Sequence, residues 1–121
     1  KKMILVGDLN VAPLENDVWN HKKLIKSVGH TPLESELMAK LKAAGNLTDV
    51  GRHFIPEENP LYSWWGYRYK PAFEKDYGWR LDHILATESL KSSLSHFEVV
   101  RDTRGWEKPS DHVPNIVDLD L

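Results

Sequence analysis

Asp8 and Asn10 stand two residues apart at the end of the run Met3-Ile4-Leu5-Val6-Gly7. In extended chain, residues two apart point the same way, so this carboxylate and this carboxamide can serve one site. Asp82 lies within Trp79-Arg80-Leu81-Asp82-His83-Ile84-Leu85-Ala86, and Asp111 and His112 follow Ser110 near the far end of the chain. Taken singly, each is ordinary: Gly, Asp and Asn form turns, and a strand Asp is commonly an ion-pair partner. Together they make a toolkit for phosphodiester chemistry. Such hydrolysis needs a divalent cation to offset phosphoryl charge, a carboxylate to orient or deprotonate water, and a donor to a nonbridging oxygen. Asp suits hard Mg²⁺ or Mn²⁺, and His112 held by Asp82 would be fixed in one tautomer and made more basic.

The elements that must position these groups alternate unevenly. Met3–Val6 reads as a strand buried on both faces, which delivers Asp8 and Asn10 to the rim of a sheet. Asp17 is a candidate cap for a helical stretch whose clearest part is 21–28, with Leu24, Ile25 and Val28 on one face and Lys22, Lys23 and Lys26 elsewhere. Thr31-Pro32-Leu33-Glu34 is a stronger helix start, with Thr31 as cap, Pro32 in the first helical position and Glu34 closing a capping box. Leu33, Leu37, Met38 and Leu41 then recur at helical spacing up to Gly45. Residues 46–55 show no clean period, and Pro56-Glu57-Glu58-Asn59-Pro60 is a loop. Tyr62–Tyr69 has the aromatic content of a strand, 79–86 reads as a second, and 70–78 as a polar connection. The alternation of 79–86 puts Leu81, His83 and Leu85 on one face and Arg80, Asp82, Ile84 and Ala86 on the other. A short helix around 89–95, a strand around 97–101, a loop over 105–114 and a strand over 116–121 complete a mixed α and β chain.

Composition narrows the classes. The chain has 121 residues, 40% of them apolar and 28% charged, which suits one domain with a real core and excludes a membrane span. It has no cysteine, so disulfides, thiolate zinc sites and thiol catalysis are out, and a reducing cytoplasm is the expected compartment. A net charge of −2 argues against an indiscriminate polyanion binder, while a local basic patch can still hold phosphate. Five tryptophans are many for this length, and an exposed one beside a cation would serve as a stacking platform. A chain that opens on a core strand also reads as a piece of something longer.

The segments Gly7-Asp8-Leu9-Asn10, Tyr62-Ser63-Trp64-Trp65-Gly66-Tyr67-Arg68, Gly78-Trp79-Arg80-Leu81-Asp82-His83-Ile84-Leu85 and Ser110-Asp111-His112-Val113-Pro114 occur in one order along the chain. In content and order they resemble the exonuclease III family of abasic-site DNA endonucleases, within the endonuclease/exonuclease/phosphatase superfamily. Gly-Asp-Leu-Asn alone would be shared with other phosphodiesterases and phosphatases, and the Trp64 and Gly78–Asp82 segments are what point to the DNA enzymes. The resemblance implies an α+β fold: half of a two-sheet β-sandwich with flanking helices, part of a four-layer, DNase I-like sandwich with mostly antiparallel sheet. Residues 1–121 would be the C-terminal half of that domain.

The resemblance also implies roles. Asp8 would orient or deprotonate the attacking water, Asn10 would hydrogen-bond to it or to the phosphate, His112 would contact the scissile phosphate and Asp82 would hold His112. Asp8, Asn10 and Asp111 would form the metal end, with Mg²⁺ or Mn²⁺ as the cation. Trp64, Trp79 and Leu81 would wall a pocket for an extruded abasic sugar, with Arg68 beside them on the substrate side. Trp64, Trp79 and Leu81 also suit plain core packing. The family draws an asparagine, a metal-binding glutamate and a tyrosine from an N-terminal half that does not precede Lys1, so that half is the expected partner. Without it, one sheet face would lie uncovered and favour self-association or partnering.

The expected function is therefore the C-terminal portion of a Mg²⁺-dependent DNA repair nuclease. It would cut 5′ to abasic sites and at 3′ ends of double-stranded DNA, and be inactive as an isolated chain. The competing expectations are a superfamily phosphatase or lipid phosphodiesterase, and a non-catalytic interaction module.

Overall fold

The computed structural model describes residues 1–121. Three strands, β1 (Ile4–Asp8), β2 (Leu47–Asp49) and β3 (Asp82–Thr87), form an antiparallel sheet in the order β1-β3-β2. A second antiparallel pair joins β4 (Leu94–Val99) to β5 (Asn115–Leu119). The helices are α1 (His21–Leu24), α2 (Pro32–Gly45) and α3 (Val50–Phe54), with short 3₁₀ turns between. This is the mixed helical and antiparallel-sheet architecture the sequence implies.

The sheet is organised around β3. It pairs on both sides, and His83, Ile84, Leu85, Ala86 and Thr87 are all buried, whichever face they occupy. Ile84 and Ala86 join Val50 and Leu90 in a small core, against which Phe54, Phe97, Val117 and Leu119 pack. Burying those side chains is the main stabilising term available to so short a sheet. α2 begins as expected: Glu34 N–H donates to Thr31 Oγ1 at 3.3 Å, Thr31 N–H donates back to Glu34 Oε1 at 3.2 Å, and Asn46 ends the helix in the left-handed region.

Several elements differ from expectation. β1 is an edge strand, paired only to β3, and its Ile4 and Val6 are 39% and 62% exposed. An apolar run identifies a strand but not how many of its faces are covered. Asp17 does not cap α1. Asn20 does, accepting from Lys23 N–H at 3.1 Å, while Asp17 is fully buried as an ion-pair partner. α1 stops at Leu24, and Val28, expected on an apolar face, is 90% exposed. On α2 only Met38 is buried, while Leu33, Leu37 and Leu41 are exposed. Residues 62–69 and 79–81 are not strands but meet in isolated bridges, because aromatic side chains rather than a ladder fix them. The unperiodic stretch 46–55 contains β2 and α3, too short to show a period.

Candidate active site

In the β1–β3 register, Asp8 stands directly opposite Asp82 at one end of the ladder. Two carboxylates facing across strands repel unless a cation or donor lies between them. His112 fills that place. Its Nδ1 lies 2.8 Å from Asp82 Oδ2 and its Nε2 lies 3.6 Å from Asp8 Oδ2, so the imidazole spans the two acids. One ligand atom from each of Asp8, Asp82 and His112 falls within 4.8 Å of the others. The expected Asp82–His112 pairing across 30 positions is therefore present as a hydrogen bond.

The approach of His112 depends on residues with no obvious chemistry. Trp64 bridges both Trp79 and His112, Trp65 N–H donates to the Asp111 carbonyl at 3.0 Å, and Val113 N–H donates to the Ser63 carbonyl at 3.0 Å. Ser63 is fully buried, and its Oγ accepts from both Leu81 N–H and Asp82 N–H at 3.0 Å. One serine thus ties the backbone at Asp82 to the backbone beside His112. In the sequence it is one hydroxyl within an aromatic run, and no spacing rule singles it out.

A second hidden device sits behind β3. Arg80 is 2% exposed and binds Asp17 through Nε and Nη2 at 2.9 and 2.8 Å and Asp49 through both Nη atoms at 2.8 and 2.9 Å. Arg52 Nη2 adds a contact to Asp17 Oδ1 at 2.7 Å. Burial opposes the Arg80 charge, yet the two carboxylates outweigh it and raise its pKa. Burial likewise works against the Asp49 carboxylate, but Arg80 holds it below the usual range. Arg80 thereby anchors the residue between Trp79 and Leu81, which both line the neighbouring cavity.

The electrostatics of the three-residue cluster favour an imidazolium. Partial burial opposes charge on His112, but the Asp82 hydrogen bond and the nearby charges of Asp82, Asp111 and Asp8 outweigh it and raise its pKa. His83 behaves oppositely: burial and the Arg80 charge depress it, and its neutral ring donates from Nε2 to the Val11 carbonyl at 2.6 Å. That bond holds the segment leaving Asn10. Asn10 itself has φ +56°, and its N–H donates to Asp8 Oδ1 at 2.9 Å, which orients the Asp8 carboxylate.

Asp111 lies outside the close cluster. Its Oδ2 accepts from Trp64 Nε1 at 2.9 Å, which leaves its other oxygen for further contacts. Trp64, Trp79 and Leu81 do come together, with Asn10, Val28 and Gly29, around a cavity of about 390 Å³ beside the cluster. Gly29, with φ +100°, allows this, since a Cβ there would stand 3.1 Å from the Trp79 ring. Leu81 is buried, while Trp64 and Trp79 keep part of their surface open. Arg68 is exposed and lines an adjoining cavity of about 520 Å³ that shares Trp64 and Trp79.

The donors fit a hard divalent cation. Asp8 offers a partly exposed carboxylate, Asn10 a carboxamide oxygen, and Mg²⁺ is commonly bound through one or two carboxylates with waters and substrate phosphate completing its shell.

Residues 1–112 match the Endonuclease/Exonuclease/phosphatase family. The chain is 38% identical over 114 residues to an exodeoxyribonuclease of Bacillus subtilis (strain 168), covering 94% of this chain and 43% of that protein. It is 37% identical over 114 residues to the DNA repair nuclease APEX1 of Danio rerio, covering 94% and 35% respectively. Among solved structures, an AP endonuclease from Archaeoglobus fulgidus superposes with a TM-score of 0.93 at 34% identity, covering 100% of this chain and 46% of that one. The 3′ phosphatase NExo from Neisseria, bound to a product DNA hairpin, gives 0.92 at 32%, covering 99% and 46%. The chain therefore spans less than half the length of these relatives. With the family match covering residues 1–112 and these relatives alike in sequence and structure, the chain belongs to the Endonuclease/Exonuclease/phosphatase family.

Proposed function

We propose that this chain is the C-terminal part of a divalent-metal-dependent DNA repair nuclease of the exodeoxyribonuclease III and AP endonuclease type. It would hydrolyse the phosphodiester 5′ to abasic sites and at 3′ ends of duplex DNA. The observation that supports this most is the His112 imidazole spanning Asp82 and Asp8 at 2.8 and 3.6 Å, next to a cavity walled by two tryptophans and a leucine. The names of its relatives, and the DNA hairpin held by the similar Neisseria protein, support DNA as substrate.

In this reading Asp8 orients the attacking water and takes its proton, with Asn10 fixing the carboxylate through its N–H. His112, whose charged form its acidic neighbours favour, donates from Nε2 to a nonbridging phosphoryl oxygen, while Asp82 holds Nδ1–H and so sets ring orientation. Trp64, Trp79 and Leu81 receive a sugar that carries no base, since an abasic nucleotide leaves no pair to break when it is extruded. Arg68 contacts the neighbouring backbone. Mg²⁺ or Mn²⁺, held by Asp8 and Asn10 with Asp111 alongside, would supply charge neutralisation at the phosphate.

The 121 residues alone are expected to be inactive on abasic duplex, since Asp8 and Asn10 can attract the ion but lack the further carboxylate expected from the N-terminal half to fix its position, and to regain activity when the rest of the protein, including that half of the same domain, is supplied. The cytoplasm is the compartment that the cysteine-free sequence favours. No helix is long and apolar enough to cross a membrane.

The test is cleavage of an abasic duplex by the full-length protein with Mg²⁺, with inositol phosphates as the competing substrates. Metal-dependent incision of DNA lost in Asp8→Asn is the expected outcome. Turnover of inositol phosphates without DNA cleavage would replace this reading with a phosphatase, and absence of both would leave an interaction module.

A further inference from the structure

The cavity that Arg68 lines is built differently from the one beside the acidic cluster. Trp19 and Tyr77 stack with centroids 3.9 Å apart and planes 10° from parallel, and Tyr69 lies near-parallel to Tyr77 at 5.8 Å. The ammonium of Lys23 sits 5.2 Å from the Trp19 ring centroid, and that of Lys75 sits 5.6 and 5.9 Å from the Tyr69 and Tyr77 rings. Tyr69 is 46% exposed, and Arg68 and Lys23 are exposed beside it. No acidic side chain lines this cleft of about 520 Å³. The nearest acid in sequence, Asp76, is engaged by Trp65 Nε1 at 2.9 Å and Arg101 at 3.2 Å.

Packing alone does not account for this arrangement. A core stack of three rings would be capped by aliphatic side chains, whereas here the caps are cations that reach water and can exchange a ring face for a phosphate. Near-parallel rings flanked by mobile positive charge, with no competing carboxylate, match what single-stranded nucleic acid recognition requires: a π-face for any base and cations for the backbone. The cleft also shares Trp64 and Trp79 with the cavity beside Asp8 and His112, so a strand entering one is led into the other.

We propose that this cleft is a second nucleotide subsite. It takes one unpaired nucleotide adjoining the sugar in the Trp64, Trp79 and Leu81 cavity. The base stacks on the Trp19, Tyr77 and Tyr69 ladder in place of a lysine ammonium, and Lys23 and Arg68 move onto the flanking phosphates. The inference deepens the DNA-nuclease reading and rests on it. Its consequence is a preference for frayed or mismatched positions next to the lesion, because only there is a base free to leave its pair without further cost.

The experiment uses the full-length protein in EDTA and a duplex carrying a tetrahydrofuran abasic analogue, with an unpaired 2-aminopurine nucleotide placed on the 5′ side in one probe and the 3′ side in another. Binding should quench 2-aminopurine in one of the two probes. Trp19→Ala should abolish that quenching and weaken binding of that probe about tenfold, with little effect on a fully paired abasic duplex. Lys23→Gln removes only an exposed charge, and should give the same probe-specific loss if Trp19→Ala disturbs folding. Equal quenching and affinity in wild type and Lys23→Gln, or no quenching in either probe while the paired abasic duplex still binds, would overturn the subsite and leave the nuclease reading standing. Failure of the wild type to bind the paired duplex would overturn both.

Discussion

At the scale of single residues, the proposed function divides the cluster into groups that act on substrate and groups that hold them. Asp8→Asn and His112→Ala are each expected to lower turnover by roughly 10² to 10⁴ with DNA affinity within about tenfold, because they act on charge that develops in the transition state. Rate and binding measured separately on an abasic duplex check this, and near-normal turnover in Asp8→Asn would refute the assignment. Asp82→Asn should lower the His112 pKa, since the largest favourable influences on its charge come from that carboxylate. Histidine titration followed by NMR would show the change, and an unmoved midpoint would contradict it. His83 gives a prediction of opposite sign. Its folded pKa is depressed, so the unfolded chain takes up a proton first as pH falls. The stability it contributes is present above its unfolded pKa near 6.5 and is lost as pH drops from there towards the folded value. Urea midpoints at pH 7.5 and 5.5 should therefore differ less in His83→Gln than in wild type. Asp8, Asp82 and His112 were legible in the sequence because strand ends and rigid loops display chemistry-bearing residues in recognisable runs. Ser63 was not, because its role lies in which backbone N–H groups its hydroxyl meets, Leu81 and Asp82, and these are fixed only by the fold.

At the scale of elements, β3 is where sequence and structure agree most and also where the sequence is silent. The strand begins at Asp82 and not at Trp79, but its apolar run through Ile84, Leu85 and Ala86 follows from residue types, as does the capped start of α2 at Thr31. What anchors the segment before it does not. Arg80 reaches Asp17 and Asp49, 63 and 31 positions away, and pairs of that separation leave no periodic trace. Removing one member of a buried ionic network leaves partners uncompensated, so Arg80→Met should destabilise the protein by about 3 to 5 kcal/mol, measured by urea unfolding. A change below about 1 kcal/mol would mean that Arg52 alone satisfies Asp17. The strand expected over 62–69 failed for a related reason: aromatic residues enrich strands, but here Trp64, Trp65 and Tyr62 pack by ring contacts across a loop, and Gly78 lets the chain pass where a Cβ would stand 2.5 Å from Tyr62.

At the scale of the molecule, the chain exposes 7446 Å², against about 6,700 Å² for a compact monomer of its mass. The excess has a visible source. Val6, Ile84, Ile116 and Val117 line an open apolar groove between the two sheets, with Asp82 at its margin. Purified alone, the 121 residues should self-associate with rising concentration, seen as a concentration-dependent sedimentation coefficient that Val6→Lys reduces. The apolar run ending at Val6 reads as a strand buried on both faces, and only the arrangement of the two sheets shows that its Val6 side is open. The position of Asp82 at the margin of that groove joins two events that are separate in most enzymes. Whatever closes the groove also packs against the acid that steers His112, so under the proposed function the ability to cut DNA arrives with completion of the fold. A nuclease is a hazard to its own genome during synthesis, and under that function a copy whose groove is still open would stay harmless without any inhibitor.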